Sequence, residues 1–218
     1  MGEISAPATL HPLMGFELSV APEAIVIGVS TGGPQALPIV IKDLALGLQL
    51  PILIALHIPA EFTRTVATRI QSIAGVPAQI ARDGEKLLPG HVYLSPGDSH
   101  ISVARDGNAA IIRLLDTPPE NFCKPSVDVL FRSAAEVFGP AVIGIVLTGM
   151  GSDGLAGTRA IVAAGAKVIA QDAASSVVWG MPRLVASEGL AQAVLPLKEI
   201  GVSVCRLVRH AQFREQKS

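Results

Sequence analysis

The sequence predicts an α/β fold, a mostly parallel, doubly wound, Rossmann-like sheet carrying an antiparallel hairpin insert. Three observations predict it. Short continuous apolar runs, the mark of strands buried on both faces, alternate with stretches whose apolar residues recur at helical spacing. Glycine-rich turns stand where such runs pass into helix-like segments. A central stretch, 84–115, loses the helical period and alternates instead around Asp106-Gly107-Asn108, a strong hairpin signal. Half of the 218 residues are hydrophobic and 16% are charged, enough apolar content for a real core.

The elements follow in order. Ala24-Ile25-Val26-Ile27-Gly28-Val29 reads as a buried strand. A helix follows over Pro34–Leu46, with Leu37, Ile41 and Leu44 at helical spacing and Pro34 suited to a first turn. Ile52–Leu56 is a second strand. Phe62–Ile73 is a helix with Phe62, Val66, Ile70 and Ile73 predicted on one face. Val76–Ala81 is a third strand. Within 84–115, His91–Leu94, Ile101–Ala104 and Ala110–Leu115 are short strands of the antiparallel insert. The α/β pattern then resumes with a helix at Val127–Phe138, a strand at Ala141–Leu147, a helix at Leu155–Ala164 and a strand at Lys167–Ala170. Met181–Ser187 is a further helix and Ala191–Leu195 a last short strand. From Leu197 the chain is amphipathic, then polar. The division expected is a flexible arm or linker remnant at 1–22, a catalytic domain at 23–204 and a polar tail at 205–218.

Composition narrows the function. A net charge of −1 gives no overall field favouring nucleic acid or an anionic membrane. The apolar runs are far shorter than the roughly 20 residues of a spanning helix. Glu3 and Glu17 stand among the first twenty residues with no basic patch before an apolar stretch, unlike a secretory signal. A cytoplasmic location and no membrane insertion are therefore expected. Cys123 and Cys205 are read as reduced thiols with no metal-ligand spacing, and no metal or cofactor is expected.

Three loops carry candidate chemistry. Gly28-Val29-Ser30-Thr31-Gly32-Gly33 lies between the first strand and the first helix and contains a G-x-S-x-G pattern, whose glycines permit a tight turn that lifts a serine hydroxyl above the sheet edge. The helix N-terminus adds N–H groups suited to a developing oxyanion. The same turn could cradle a phosphate. His57 ends the second strand, one strand over, and an imidazole is the usual base for a serine. Leu147 to Gly154 holds three glycines and Asp153, which could cap the following helix or orient His57. The order Ser, His, Asp differs from an α/β-hydrolase, whose histidine comes last. Asp128 and Arg132 are predicted to pair at i,i+4 on the helix surface. His100 is read as a structural or surface residue of the insert, and Trp179-Gly180-Met181-Pro182 as packing near the site. His11, His91 and His210 show no partner pattern.

Long ordered motifs then carry a resemblance. Gly28 to Gly33, Leu56-His57-Ile58-Pro59-Ala60-Glu61-Phe62-Thr63, Asp83-Gly84-Glu85, Leu88-Pro89-Gly90, Lys124-Pro125-Ser126-Val127-Asp128-Val129-Leu130-Phe131, Leu147 to Gly154 and Gly180-Met181-Pro182 together resemble the catalytic domain of the CheB-type chemotaxis-receptor methylesterases. The resemblance runs from about Ala24 to Ile200. It implies Ser30 as nucleophile, His57 as base, Asp153 as the orienting acid, and oxyanion or substrate contacts around Thr31, Gly32, Met150 and Gly151. It implies hydrolysis of glutamyl methyl esters on chemoreceptors to glutamate and methanol, possible deamidation of receptor glutamines, and no cofactor. Ser152 and Trp179 differ from residues common in the family at those places. Proteins of the family usually carry an N-terminal receiver domain and a linker; with about 22 residues before the first strand, the expectation is either a stand-alone relative or an excised domain. Two other classes remain in view: a nucleotide-binding module, and a regulatory module without activity.

Overall fold

Ala24-Ile25-Val26-Ile27-Gly28-Val29 has no polar side chain, and the structure buries all six residues in the middle of a sheet. The structure is a computed structural model, and it describes residues 17–215. That strand, β1 (Ala24–Val29), pairs in parallel with β2 (Ile52–Leu56) on one side and β7 (Val142–Val146) on the other. Seven parallel strands lie in the order β3 (Ala78–Ile80), β4 (Val92–Leu94), β2, β1, β7, β8 (Lys167–Gln171), β9 (Ala193–Leu195). The chain leaves β1 in one direction and later returns on its other side. The gap between β1 and β7 is therefore the switch point at which such sheets place their ligands.

Because strand side chains alternate, β1 feeds two cores. Ile25, Ile27 and Val29 pack with α1 (Gly33–Gly47), α2 (Ala60–Ala74) and α6 (Leu197–Glu215). Ala24 and Val26 face α3 (Val127–Phe138), α4 (Leu155–Ala163), α5 (Met181–Ser187) and the hairpin β5–β6 (His100–Asp106 and Ala109–Leu115). The two-residue turn at Gly107-Asn108 lies where the hairpin signal placed it, with Gly107 at φ 56°. Glycine lets α3 sit hard against the sheet. A Cβ on Gly28 would stand 2.3 Å from Val127 Cγ1, and one on Gly157 of α4 would stand 2.6 Å from Phe131 Cβ.

Three expectations are corrected. His91–Leu94 does not belong to the antiparallel insert: Val92–Leu94 is β4, parallel between β3 and β2. Three residues carry no directional signal, and the hydrogen bonds of two neighbouring edges decided the pairing. On α2 the buried face is Thr63, Val66, Ala67 and Ile70, while Phe62 and Ile73 are exposed. That face packs against α1 and β3, and the neighbours supplied by the tertiary fold, not the apolar period alone, select it. The tail expected from 205 is helical to Glu215, and Cys205, Leu207, Val208 and Ala211 are buried beside α1. Arginines on the outer face hid an apolar stripe. At the other end, residues 1–16 of the expected arm lie outside the described residues, as does His11, and Leu18 packs into the core.

Candidate active site

The register of β1 against β2 brings the first two candidates together. Gly28 lies opposite Ala55 and Val29 opposite Leu56, so Ser30 and His57 are the next residues off the ends of neighbouring strands. The His57 N–H donates to the Val29 carbonyl at 3.1 Å, which extends the ladder to the site. Ser30 is fixed by its own backbone: its N–H donates to Thr148 O at 3.0 Å, and its carbonyl accepts from Gly33 N at 2.8 Å. Gly32 takes φ 87°, the left-handed turn that a G-x-S-x-G loop needs.

Asp153 is 3% exposed and accepts the His57 Nε2–H on Oδ2 at 2.8 Å. Its carboxylate is held from every side. Ser126 Oγ donates to Oδ1 at 2.7 Å, Val127 N to Oδ2 at 2.6 Å, Asp128 N to Oδ1 at 3.1 Å and Gly154 N to Oδ1 at 3.1 Å. Asp153 therefore does not cap the helix that follows it, whose N-cap is Gly154. It caps α3, 26 residues earlier in the chain, and orients His57 with the same oxygens. Burial pushes its pKa up, but the donors from His57, Ser126, Val127 and Asp128 outweigh that and hold it below the usual carboxylate value. The positive end of the α3 dipole acts in the same direction. With Nε2–H committed to an ionised acceptor, the lone pair of His57 lies on Nδ1. The ring is thus turned end for end relative to the serine-protease template, where Nδ1 meets the carboxylate.

The remaining predicted residues line the same edge. A Cβ on Gly149 would stand 2.7 Å from Ser30 Cβ and 2.4 Å from Met181 Sδ, so the loop before Asp153 runs in contact with Ser30. Met150 and Thr31 are exposed, and Gly151 has φ 99°. Thr148 ties the loops together: its hydroxyl donates to Thr31 O at 2.9 Å, its N–H donates to Gln171 Oε1 at 2.8 Å, and Val178 N donates to its Oγ1 at 3.0 Å. Trp179 Nε1 donates to Gln171 O at 3.1 Å, and Met181 N to Gly149 O at 2.8 Å. Those bonds pack 179–182 beside the site.

Sequence reasoning missed Ser126, Thr148 and Gln171. Ser126 carried a signal, since a serine before a helix reads as a cap, but its hydroxyl serves Asp153 instead. The surface pair Asp128–Arg132 does not form. Asp128 is buried and accepts from Gly157 N at 2.6 Å and Asn121 Nδ2 at 2.8 Å, while Arg132 makes two 2.6 Å hydrogen bonds to Glu120. Close approach of α4 at Gly157 covers the face that helical spacing alone would leave wet. Burial pushes the Asp128 pKa up to about 6, against the pull of the Gly157 N–H and with a further push from the Asp153 charge. His100 is buried and structural: Ser126 N donates to its Nδ1 at 3.0 Å, so its Nε2–H donates to Pro118 O at 3.1 Å.

The structure also assembles what the sequence spacing did not suggest. Cys123, His57 and Asp153 offer ligand-type atoms all within 4.8 Å of one another. Asp153 already accepts from five donors, so both its oxygens are committed to hydrogen bonds. Burial, with the Asp153 and Asp128 charges, pushes the Cys123 thiol up to about 11.

Comparison with known proteins agrees in fold and sequence. A crystal structure of the Thermotoga maritima CheB methylesterase catalytic domain superposes with a TM-score of 0.83 at 37% identity, covering 87% of this chain and all of that one. A protein-glutamate methylesterase/protein-glutamine glutaminase of Azospirillum brasilense is 49% identical over 208 residues, and one from a group 2 operon of Rhodopseudomonas palustris is 50% identical over 188. These alignments cover 94% and 86% of this chain but 53% and 48% of the relatives, so the chain spans about half their length. Residues 25–204 match the family model for CheB methylesterase, and the chain belongs to that family.

Proposed function

We propose that the chain is a cytoplasmic serine hydrolase that removes methyl esters from glutamate side chains of chemoreceptors, yielding glutamate and methanol. Deamidation of receptor glutamines is the companion reaction. The observation that carries this reading is the buried, ionised Asp153 hydrogen-bonded to His57, whose backbone is laddered to the residue before Ser30. In the mechanism, His57 Nδ1 takes the Ser30 proton as Oγ attacks the ester carbonyl. Asp153 stabilises the imidazolium. The oxyanion is held by the N–H groups of Thr31 and Met150, neither of which hydrogen-bonds elsewhere among the described residues. His57 then protonates the departing methanol, and water repeats the cycle on the acyl-enzyme. The partner is the helical cytoplasmic region of a methylated receptor. Relatives named for both the methylesterase and the glutaminase activity support the substrate class.

The test is methanol release from a methylated receptor fragment, with fluorophosphonate labelling of Ser30. Ser30→Ala should abolish both and leave the thermal unfolding transition in place. A phosphate-binding turn would give nucleotide affinity and no label, and a regulatory module would give neither.

A further inference from the structure

Asn121 at φ 49° and Phe122 at φ 61° are the non-glycine residues with positive φ among the described residues. They form the centre of a two-residue turn. Glu120 N donates to Cys123 O at 3.1 Å, and Cys123 N donates to Glu120 O at 2.8 Å. A turn closed in this way, with both central residues at positive φ, ordinarily holds Asn-Gly. Asn121 suits its place. Phe122 occupies the glycine place, where a bulky side chain strains the backbone. Its ring is also wholly exposed, at 103%. Neither backbone preference nor burial accounts for a phenylalanine there, and strain that surrounding structure enforces is a pointer to function.

The turn is held firmly beside the site. Arg132 grips Glu120 through two hydrogen bonds, Asn121 Nδ2 donates to Asp128, and the Cys123 thiol lies beside His57 and Asp153. Two more exposed apolar residues border the serine. Val177 lies over the serine loop, where a Cβ on Gly32 would stand 2.7 Å from Val177 Cγ2, and Met150 follows the Gly149 that abuts Ser30. Apolar side chains from three loops thus flank the reacting centre on the nucleophile side and on the His57–Asp153 side. Charged or polar residues would be the default at such solvent-facing tips.

We propose that Phe122 is a specificity-determining residue that packs on apolar side chains beside the esterified residue of an amphipathic helix, so that the site prefers esters displayed on a helical protein to small free esters. A ring standing out in solvent from the turn tip has little to touch on a small ester seated at Ser30. It meets instead the surface that carries a tethered one, and apolar anchors at helical spacing are how such surfaces are read. This rests on the methylesterase reading above.

The experiment compares kcat/KM for a methylated receptor fragment and for p-nitrophenyl acetate in the unsubstituted chain, Phe122→Gly and Phe122→Leu. Phe122→Gly should raise Tm by about 2–4 °C, because glycine adopts the turn without strain. It should also lower the receptor-to-small-ester ratio about tenfold, mainly through KM for the receptor, as truncating an aromatic anchor does. Phe122→Leu, which keeps an apolar side chain, should recover most of the ratio without the gain in Tm. A ratio within about twofold of the unsubstituted chain in Phe122→Gly overturns the proposal, as does an equal loss on both substrates. An unsubstituted chain that hydrolyses the small ester but releases no methanol from the receptor overturns the methylesterase reading, and this one with it.

Discussion

Asp153 holds both the N-terminus of α3 and His57 with one carboxylate, and the weight of each contact can be measured. Asp153→Asn should lower turnover on the order of 10⁴, because an amide nitrogen cannot accept the His57 proton and leaves the wrong tautomer. It should also lower stability by about 0.5–2 kcal/mol, the worth of a helix cap, since with the amide nitrogen in the place of Oδ2 the Val127 N–H loses its acceptor while Asp128 N–H keeps the remaining oxygen. Near-full activity with a lowered Tm would make Asp153 a cap alone. The neighbouring carboxylate behaves in the opposite sense. Asp128 has a folded pKa of about 6 against an ordinary 3.8, so between those values the folded state holds more protons than the unfolded one. Stability from this group therefore falls as pH rises from about 4 to 6. Asp153, depressed in the fold, contributes stability above its ordinary 3.8 that is lost as pH falls through its lower folded value. Asp128→Asn should remove the downward slope between pH 4 and 6 in a series of thermal melts. An unchanged slope would place the ionisation elsewhere. The Ser30 and His57 positions were legible in the sequence, because each follows a short buried apolar run and consecutive strands of a parallel sheet are commonly neighbours. That Asp153 would hold both α3 and His57 was not, because a cap and an orienting acid look alike in sequence.

At the scale of elements, the site depends on how closely backbones approach. Gly149 closes β7 against the serine loop and leaves no space for a methyl group. Gly149→Ala should displace Ser30 or Met181, lowering kcat by at least about tenfold while the protein remains folded, since a misplacement near 1 Å suffices for such losses. Retained kcat would show that Met181 alone gives way. The α3 boundaries, Val127–Phe138, follow from the apolar period, but its task does not. Nothing local indicates that the N-terminus of α3 points at a carboxylate on another loop. Gly28 and Gly157 decide that by letting α3 sink between sheet and α4. The same descent buries Asp128 and sends Arg132 to Glu120, overriding the helical spacing that pairs them in isolation.

The whole molecule is a sheet between two helical layers, and its closing element is α6. Leu207 and Val208 lie beyond the residues matched by the family model, yet both are in the core against α1. Val208→Asp should lower stability by about 3 kcal/mol or more, seen as a sharp drop in Tm, since it places an unpaired carboxylate in an apolar interior. Arg209→Ala on the exposed face should leave Tm nearly unchanged. Equal effects of the two would mean that the helix does not pack as described. None of the helices in the described residues is long and apolar enough to cross a membrane.

Sequence by itself determined the strand and helix alternation, the parallel sheet, the hairpin turn and the three loops that carry serine, histidine and aspartate. Those are local properties: apolar period, turn chemistry and the rule that parallel strands present their loops at one edge. Tertiary structure decided where β4 pairs, which face of α2 is buried, how Cys205 to Ala211 are covered, and which donors hold Asp153. Each depends on contacts between segments distant in the chain. The free energy of burying a carboxylate or a three-residue strand is set by what surrounds it, and no local pattern encodes those surroundings.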